Sequence, residues 1–323
     1  MLPYATIAQV VLGILLLACL ASWFQLLRRR EPNQPLLALD PRPAVPWGLG
    51  HLLAALVLLT LFETVAVFLT GSGRDPAGGL TDRPSGNDPP AASARQAPPQ
   101  ATAVALTPAD LWATAGARLA MLTASIVLII VTVRASPADL GVRRAALRAD
   151  LRLGCRVFLM FGPPAYLIQM FLTVWRPESH PIIESLRAAP DPQLMIASVA
   201  SAVVAAPLQE EFLWRLLFQG WLEKLARATS DPIELMVGRS RRSSTVAPDQ
   251  AVATWPILVS SFVFALLHLN HGPAAVALFF FATGLGWVYQ RTHRILPCIT
   301  AHLLLNGCSL SLLFLEIRFD GKL

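Results

Sequence analysis

Three apolar stretches of this chain carry side chains that hydrocarbon holds only at a cost. The first reads Pro207-Leu208-Gln209-Glu210-Glu211-Phe212-Leu213-Trp214-Arg215. The second ends Phe264-Ala265-Leu266-Leu267-His268-Leu269-Asn270-His271-Gly272, and the third contains Thr300-Ala301-His302-Leu303-Leu304-Leu305-Asn306-Gly307. An ionisable group inside a membrane span costs roughly 2.5–3.5 kcal/mol even on lenient insertion scales, so each is a functional candidate by default.

Spacing gives these residues a physical reading. Glu211 and Arg215 stand at i,i+4 with the glutamate N-terminal, the favourable order for a helix ion pair. Glu210 is turned by about 100° from Glu211 on an ideal helix, so the two carboxylates cannot both face Arg215. One is neutralised and the other is left free for chemistry. His302 and Asn306 are also at i,i+4 and project from one helix face. Pro207 removes an intrahelical hydrogen bond just before the glutamate pair, which predicts a local kink and a polar opening. The bland alternative is that all these groups are interhelical glue, satisfied among themselves. Against it stands the number of ionisable groups that would have to be buried for packing alone. His271, beside Gly272-Pro273, reads instead as a helix C-terminal cap.

The elements that must position these residues are membrane helices. The 323 residues are 54% hydrophobic and 14% charged, with a mean hydropathy of +0.55. A soluble domain carries roughly 25% charged residues. Eight apolar blocks cover residues 4–27, 45–70, 119–133, 157–175, 193–221, 255–269, 274–289 and 295–317. Each is near the ~20 residues a helix needs to cross a bilayer core, so the expected fold is all-α, a polytopic bundle of about eight transmembrane helices. The third block is short, with Arg118 expected to snorkel at its end. The fourth contains Gly162-Pro163-Pro164, where a kink or break is expected. The fifth is long enough to emerge as an extension through residues 222–226.

Residues 71–107 are rich in Pro, Gly, Ser and Asp and read as a disordered loop. The resulting division is an N-terminal transmembrane region over 1–190, a second region over 191–317 and a tail over 318–323. Cys19, Cys155, Cys298 and Cys308 all fall within or beside apolar blocks, without the spacing of a disulfide or zinc site, and are expected to be small buried residues.

The net charge of +6 belongs to topology rather than to nucleic acid. Alternate loops, following blocks one, three, five and seven, hold seventeen of the 26 basic residues. The positive-inside rule then places those loops in the cytoplasm and both termini outside. Leu16-Leu17-Ala18-Cys19 weakly resembles a lipoprotein cleavage site. No Lys or Arg precedes it and Arg28–Arg30 follow it, so an uncleaved anchor is expected.

The three motifs resemble a known family. Glu210–Arg215 as EExxxR, Phe264–His268 as FxxxH and His302–Asn306 as HxxxN match, in order, the motifs of the CPBP intramembrane proteases, the family of the CAAX-prenyl endopeptidases. The run Gly284-Leu285-Gly286-Trp287-Val288-Tyr289-Gln290-Arg291-Thr292 is also similar to the family's segment between the second and third motifs. The resemblance implies hydrolysis of peptide bonds in membrane-associated proteins or peptides by a water activated among helices. Carried over residue by residue, Glu210 is the general base and His268 helps to position the water. His302 and Asn306 polarise the scissile carbonyl, and Glu211 with Arg215 sets the electrostatics.

The resemblance commits to no cofactor. A divalent metal such as zinc remains open, with His268, His302 and Glu210 as its ligands. Weighing against it, no two of these stand at the i,i+3 or i,i+4 separation of an HExxH-type site. The expected partners are a membrane-associated peptide or protein substrate and the lipid bilayer, with no nucleic acid. The expected setting is a multi-pass position in a bacterial cytoplasmic membrane. Two other classes are a non-catalytic scaffold or immunity-type protein on the same fold, and a transporter, which would call for inverted repeats that the sequence does not display.

Overall fold

In a computed structural model the chain is built from α-helices, with residues 4–28, 30–31, 34–40, 45–71, 106–175, 180–227, 231–238 and 253–319 described. Among these residues there is no strand. In chain order the helices are α1 (Tyr4–Arg28), α2 (Leu49–Thr70), α3 (Pro108–Val133), α4 (Leu147–Thr173) and a short α5 (Pro181–Ala188). There follow the long α6 (Pro192–Leu225), the short α7 (Pro232–Val237), α8 (Trp255–Leu266), α9 (Ala274–Thr292) and α10 (Leu296–Phe319).

All eight expected blocks are helical, and the chain is an integral, multi-pass membrane protein. Six helices, α1, α2, α3, α4, α6 and α10, are long and apolar enough to cross a membrane. With 12 residues, α8 is too short to do so alone. The run expected to be disordered lies, from residue 72 to residue 105, outside the described residues, as does most of the polar loop before α8.

Three local expectations are corrected. First, α3 starts eleven residues earlier than its apolar block, at Pro108, because Thr107 and Asp110 form a reciprocal capping box. Arg118 therefore sits within the helix rather than at its end, 3.8 Å from Glu63 on α2. Second, of the kink or break expected at Gly162-Pro163-Pro164, the break is absent: α4 continues through both prolines. Pro164 has no N–H to give the Met160 carbonyl, four residues earlier. That carbonyl instead accepts the indole N–H of Trp23 at 3.3 Å and the Cys19 thiol at 3.6 Å, both from α1. A neighbouring helix thus satisfies the group that proline frees, as membrane helices require. Third, Cys155 is exposed and Cys308 half-buried, while Cys19 and Cys298 are buried as expected.

The core sits where α4, α6, α9 and α10 meet. Phe158 of α4, Leu213 and Leu217 of α6, Phe281 and Leu285 of α9, and Leu305 of α10 belong to one buried cluster. Small residues set the close approaches. A Cβ on Gly154 would stand 2.5 Å from the Thr300 side chain, and one on Gly284 would stand 2.6 Å from the Phe161 ring. Helix α4 therefore lies directly along α10 and α9. The Gln219 amide donates to the Gly286 carbonyl at 2.8 Å and joins α6 to α9 in the same way.

Candidate active site

The long helix α6 is not uniformly α. Two π-helical stretches, Val199–Ala205 and Phe212–Gln219, flank a single α-turn, Ala206–Glu211, that carries Pro207 and both glutamates. Such stretches widen the helix locally and concentrate at functional sites. The expected opening at Pro207 thus takes the form of a change of helical register. In the first π stretch the Ala206 N–H bonds the Ser201 carbonyl, five residues back. In that register the next carbonyl, Ala202, faces residue 207, where Pro207 has no N–H to offer. The side-chain amide of Asn306, from α10, donates to it at 2.8 Å.

The second π stretch begins right after Glu211. Glu211 and Arg215 are both fully buried, and Arg215 Nε lies 3.2 Å from Glu211 Oε2. This is the ion pair expected from the spacing. The other carboxylate oxygen, Oε1, accepts a hydrogen bond from His302 Nδ1 at 2.8 Å. Receiving that bond, the ionised Glu211 fixes the proton on Nδ1 and turns the second ring nitrogen, Nε2, outward. Nε2 lies 3.8 Å from Glu210 Oε2, whose side chain is 16% exposed. At that separation the pair is beyond direct hydrogen bonding and within the span that one bridging water covers.

Aromatic rings hold this chain of charges. Phe264 of α8 and Phe281 of α9 both meet the His302 ring edge-on, each with centroids 6.1 Å apart. Phe264 also lies under the Arg215 guanidinium, 5.3 Å from its Cζ, a cation–π contact in a dry setting. Its third neighbour is His268, whose ring centroid is 4.6 Å away and whose Nδ1 lies 2.8 Å from the Phe264 carbonyl.

Five of the six sequence candidates are thus brought together: Glu211, Arg215 and His302 in direct contact, Glu210 facing His302 at 3.8 Å, and His268 joined through Phe264. Asn306 sits one helical turn after His302 and is engaged with the α6 backbone. Phe281 carried no signal in the sequence, being one of three consecutive phenylalanines in an apolar helix. Phe264 was visible only as the first letter of its motif. His51 and His180 cap α2 and α5 through Nδ1 and take no part in the site. Among the described residues no three His, Cys, Asp or Glu side chains are grouped so that they could hold a metal ion.

Comparison with known families matches residues 192–308 to the family model described as type II CAAX prenyl endopeptidase Rce1-like. This segment is similar to the CAAX protease-like proteins of the CPBP family. It begins at the first residue of α6 and ends shortly after Asn306, so it contains all six candidates and the contacts between them. At family level it supports a protease working within the membrane on membrane-associated proteins. No curated protein and no solved structure matches the chain.

Proposed function

We propose that the CAAX protease-like segment hydrolyses peptide bonds of membrane-associated proteins or peptides, with Glu210 as the base that activates water. The observation that carries this reading is the 3.8 Å separation between Glu210 Oε2 and His302 Nε2, set up by the buried Glu211–His302 hydrogen bond. A water between the two groups donates one proton to Glu210, and its oxygen attacks the scissile carbonyl carbon. The carbonyl π pair moves to oxygen. With Nε2 protonated, His302 donates to that oxyanion, its charge balanced by the carboxylate behind it. The Asn306 amide has two N–H groups and spends one on Ala202, which leaves the other for the same oxygen. Collapse expels the amine, which takes the proton back from Glu210. His268, resting on Phe264, helps to position the water. Oxyanion donors of this kind are each worth about 2.7–4 kcal/mol in a dry site.

The test is purified full-length protein in vesicles with membrane-anchored peptides. Cleavage by the native protein, and its loss with retained peptide in Glu210→Gln, is the expected result. Binding without turnover by the native protein would instead favour a non-catalytic scaffold. Loss of cleavage on exhaustive chelation, restored by stoichiometric zinc, would replace the direct-base reading with a metal.

A further inference from the structure

Away from the site, the first turns of α4 carry an unusual outer surface. Arg144, Arg148, Arg152 and Arg156 recur every four residues and all four are exposed. Successive members drift by only about 40° on an α-helix, so Arg148, Arg152 and Arg156 make one stripe, which the lead-in turn at Arg144–Ala146 prolongs. Leu147 and Leu151, 40% and 51% exposed, form a second stripe beside it. The inner face of the same turns is committed: Asp150 is fully buried against Arg294, and Gly154 is seated on α10.

The acids at this end of the bundle have other partners. Asp40 and Asp150 both pair with Arg294, and Asp139 caps its own turn through Ser136. Among the described residues no ion pair engages any of the four stripe arginines. The Trp23 and Cys19 bonds to Met160 bring the arginine end of α1, with exposed Arg28, alongside. Depth follows from length. From Val157 to Thr173 the helix rises about 25 Å, close to the hydrocarbon thickness of about 30 Å. Arg144–Arg156 then stands at headgroup level and beyond it.

We infer that this face of α4 binds the headgroups of anionic phospholipids in the adjoining leaflet. The guanidinium forks match phosphate oxygens two at a time. The stripe runs straight into the apolar span at Val157, so its inner end meets the leaflet surface, a position that an acidic soluble peptide would not need. A polybasic cluster immediately beside a span is drawn to an anionic leaflet surface.

The test uses full-length protein in vesicles of phosphatidylcholine containing about one-fifth phosphatidylglycerol, followed by extraction and native mass spectrometry of the lipids retained. Native protein should retain phosphatidylglycerol several-fold above its share of the vesicle, and Arg148→Gln/Arg152→Gln should lower that ratio toward one. The double variant keeps Arg143, Arg144 and Arg156 in place for topology. Should it fail to accumulate, the single variants are read by the same ratio. Retention of both lipids in proportion to the vesicle by native protein would overturn the inference. So would an enrichment that the arginine variants leave unchanged, or one that soluble polyglutamate abolishes as effectively as added phosphatidylglycerol.

Discussion

Asn306 donates its side-chain amide to the Ala202 carbonyl, standing in for the N–H that Pro207 lacks. One residue thereby serves helix α6 and, by proposal, the oxyanion. Asn306→Ala should lower turnover by roughly 10²–10³, as oxyanion-donor losses do. It should also destabilise by about 1–3 kcal/mol through the stranded carbonyl. Pro207→Ala separates the two effects, because it restores an N–H at residue 207. The double variant should regain thermal stability in detergent and stay slow. Recovery of activity together with stability would reduce Asn306 to a packing residue.

The two adjacent glutamates should fail in different ways. Glu210 is partly exposed and touches little else, so Glu210→Gln should fold normally and lose nearly all cleavage. Glu211 is fully buried between Arg215 and His302. Glu211→Gln leaves a buried arginine without its counter-charge, a loss of about 3–5 kcal/mol. Unfolding curves of the two variants beside single-turnover rates check this. Equal destabilisation of both would contradict it.

Gly284 admits no side chain. A Cβ there would stand 2.6 Å from the Phe161 ring, so Gly284→Ala should cost about 1–3 kcal/mol as overpacking between α4 and α9. Phe161→Leu should return part of it. The readout is the melting temperature of the single and double variants, and additive losses would show that the two positions do not press on each other.

Trp23 acts on α4 from outside it. Trp23→Phe with Cys19→Ala strips the Met160 carbonyl of both donors and should destabilise by about 1–3 kcal/mol. Adding Pro164→Ala supplies the missing backbone N–H and should recover most of it. A triple variant no more stable than the double would mean that the α1 contacts act through packing alone.

The fold class and the Glu211–Arg215 pair were legible because both rest on local rules, apolar block length and i,i+4 spacing. The start of α3 was not, although Thr107, Pro108 and Asp110 spell a helix start, because the apolar block begins at residue 119 and the cap is polar. What answers Pro164 and Pro207 was not legible for a different reason. Proline removes a donor locally, but what replaces it comes from Trp23 in one case and Asn306 in the other, 141 and 99 positions away in the chain. The candidate residues stand out by their cost in hydrocarbon. Their partners, with Glu211 holding His302 and Phe264 shared by three groups, depend on which helices meet, and no spacing within one helix encodes that.

The Glu211–His302 bond joins residues 91 apart, on the long helix and on the last one. During synthesis α6 enters the bilayer with two carboxylates and an arginine well before α10 exists. Until His302 arrives, Glu211 has only Arg215 of its two final partners, and Glu210 faces no histidine. An α6 without α10 is therefore costly in hydrocarbon, which favours keeping it beside protein or water until α10 is made. A chain stalled before residue 302 would leave in α6 a carboxylate face that the finished protein covers with His302.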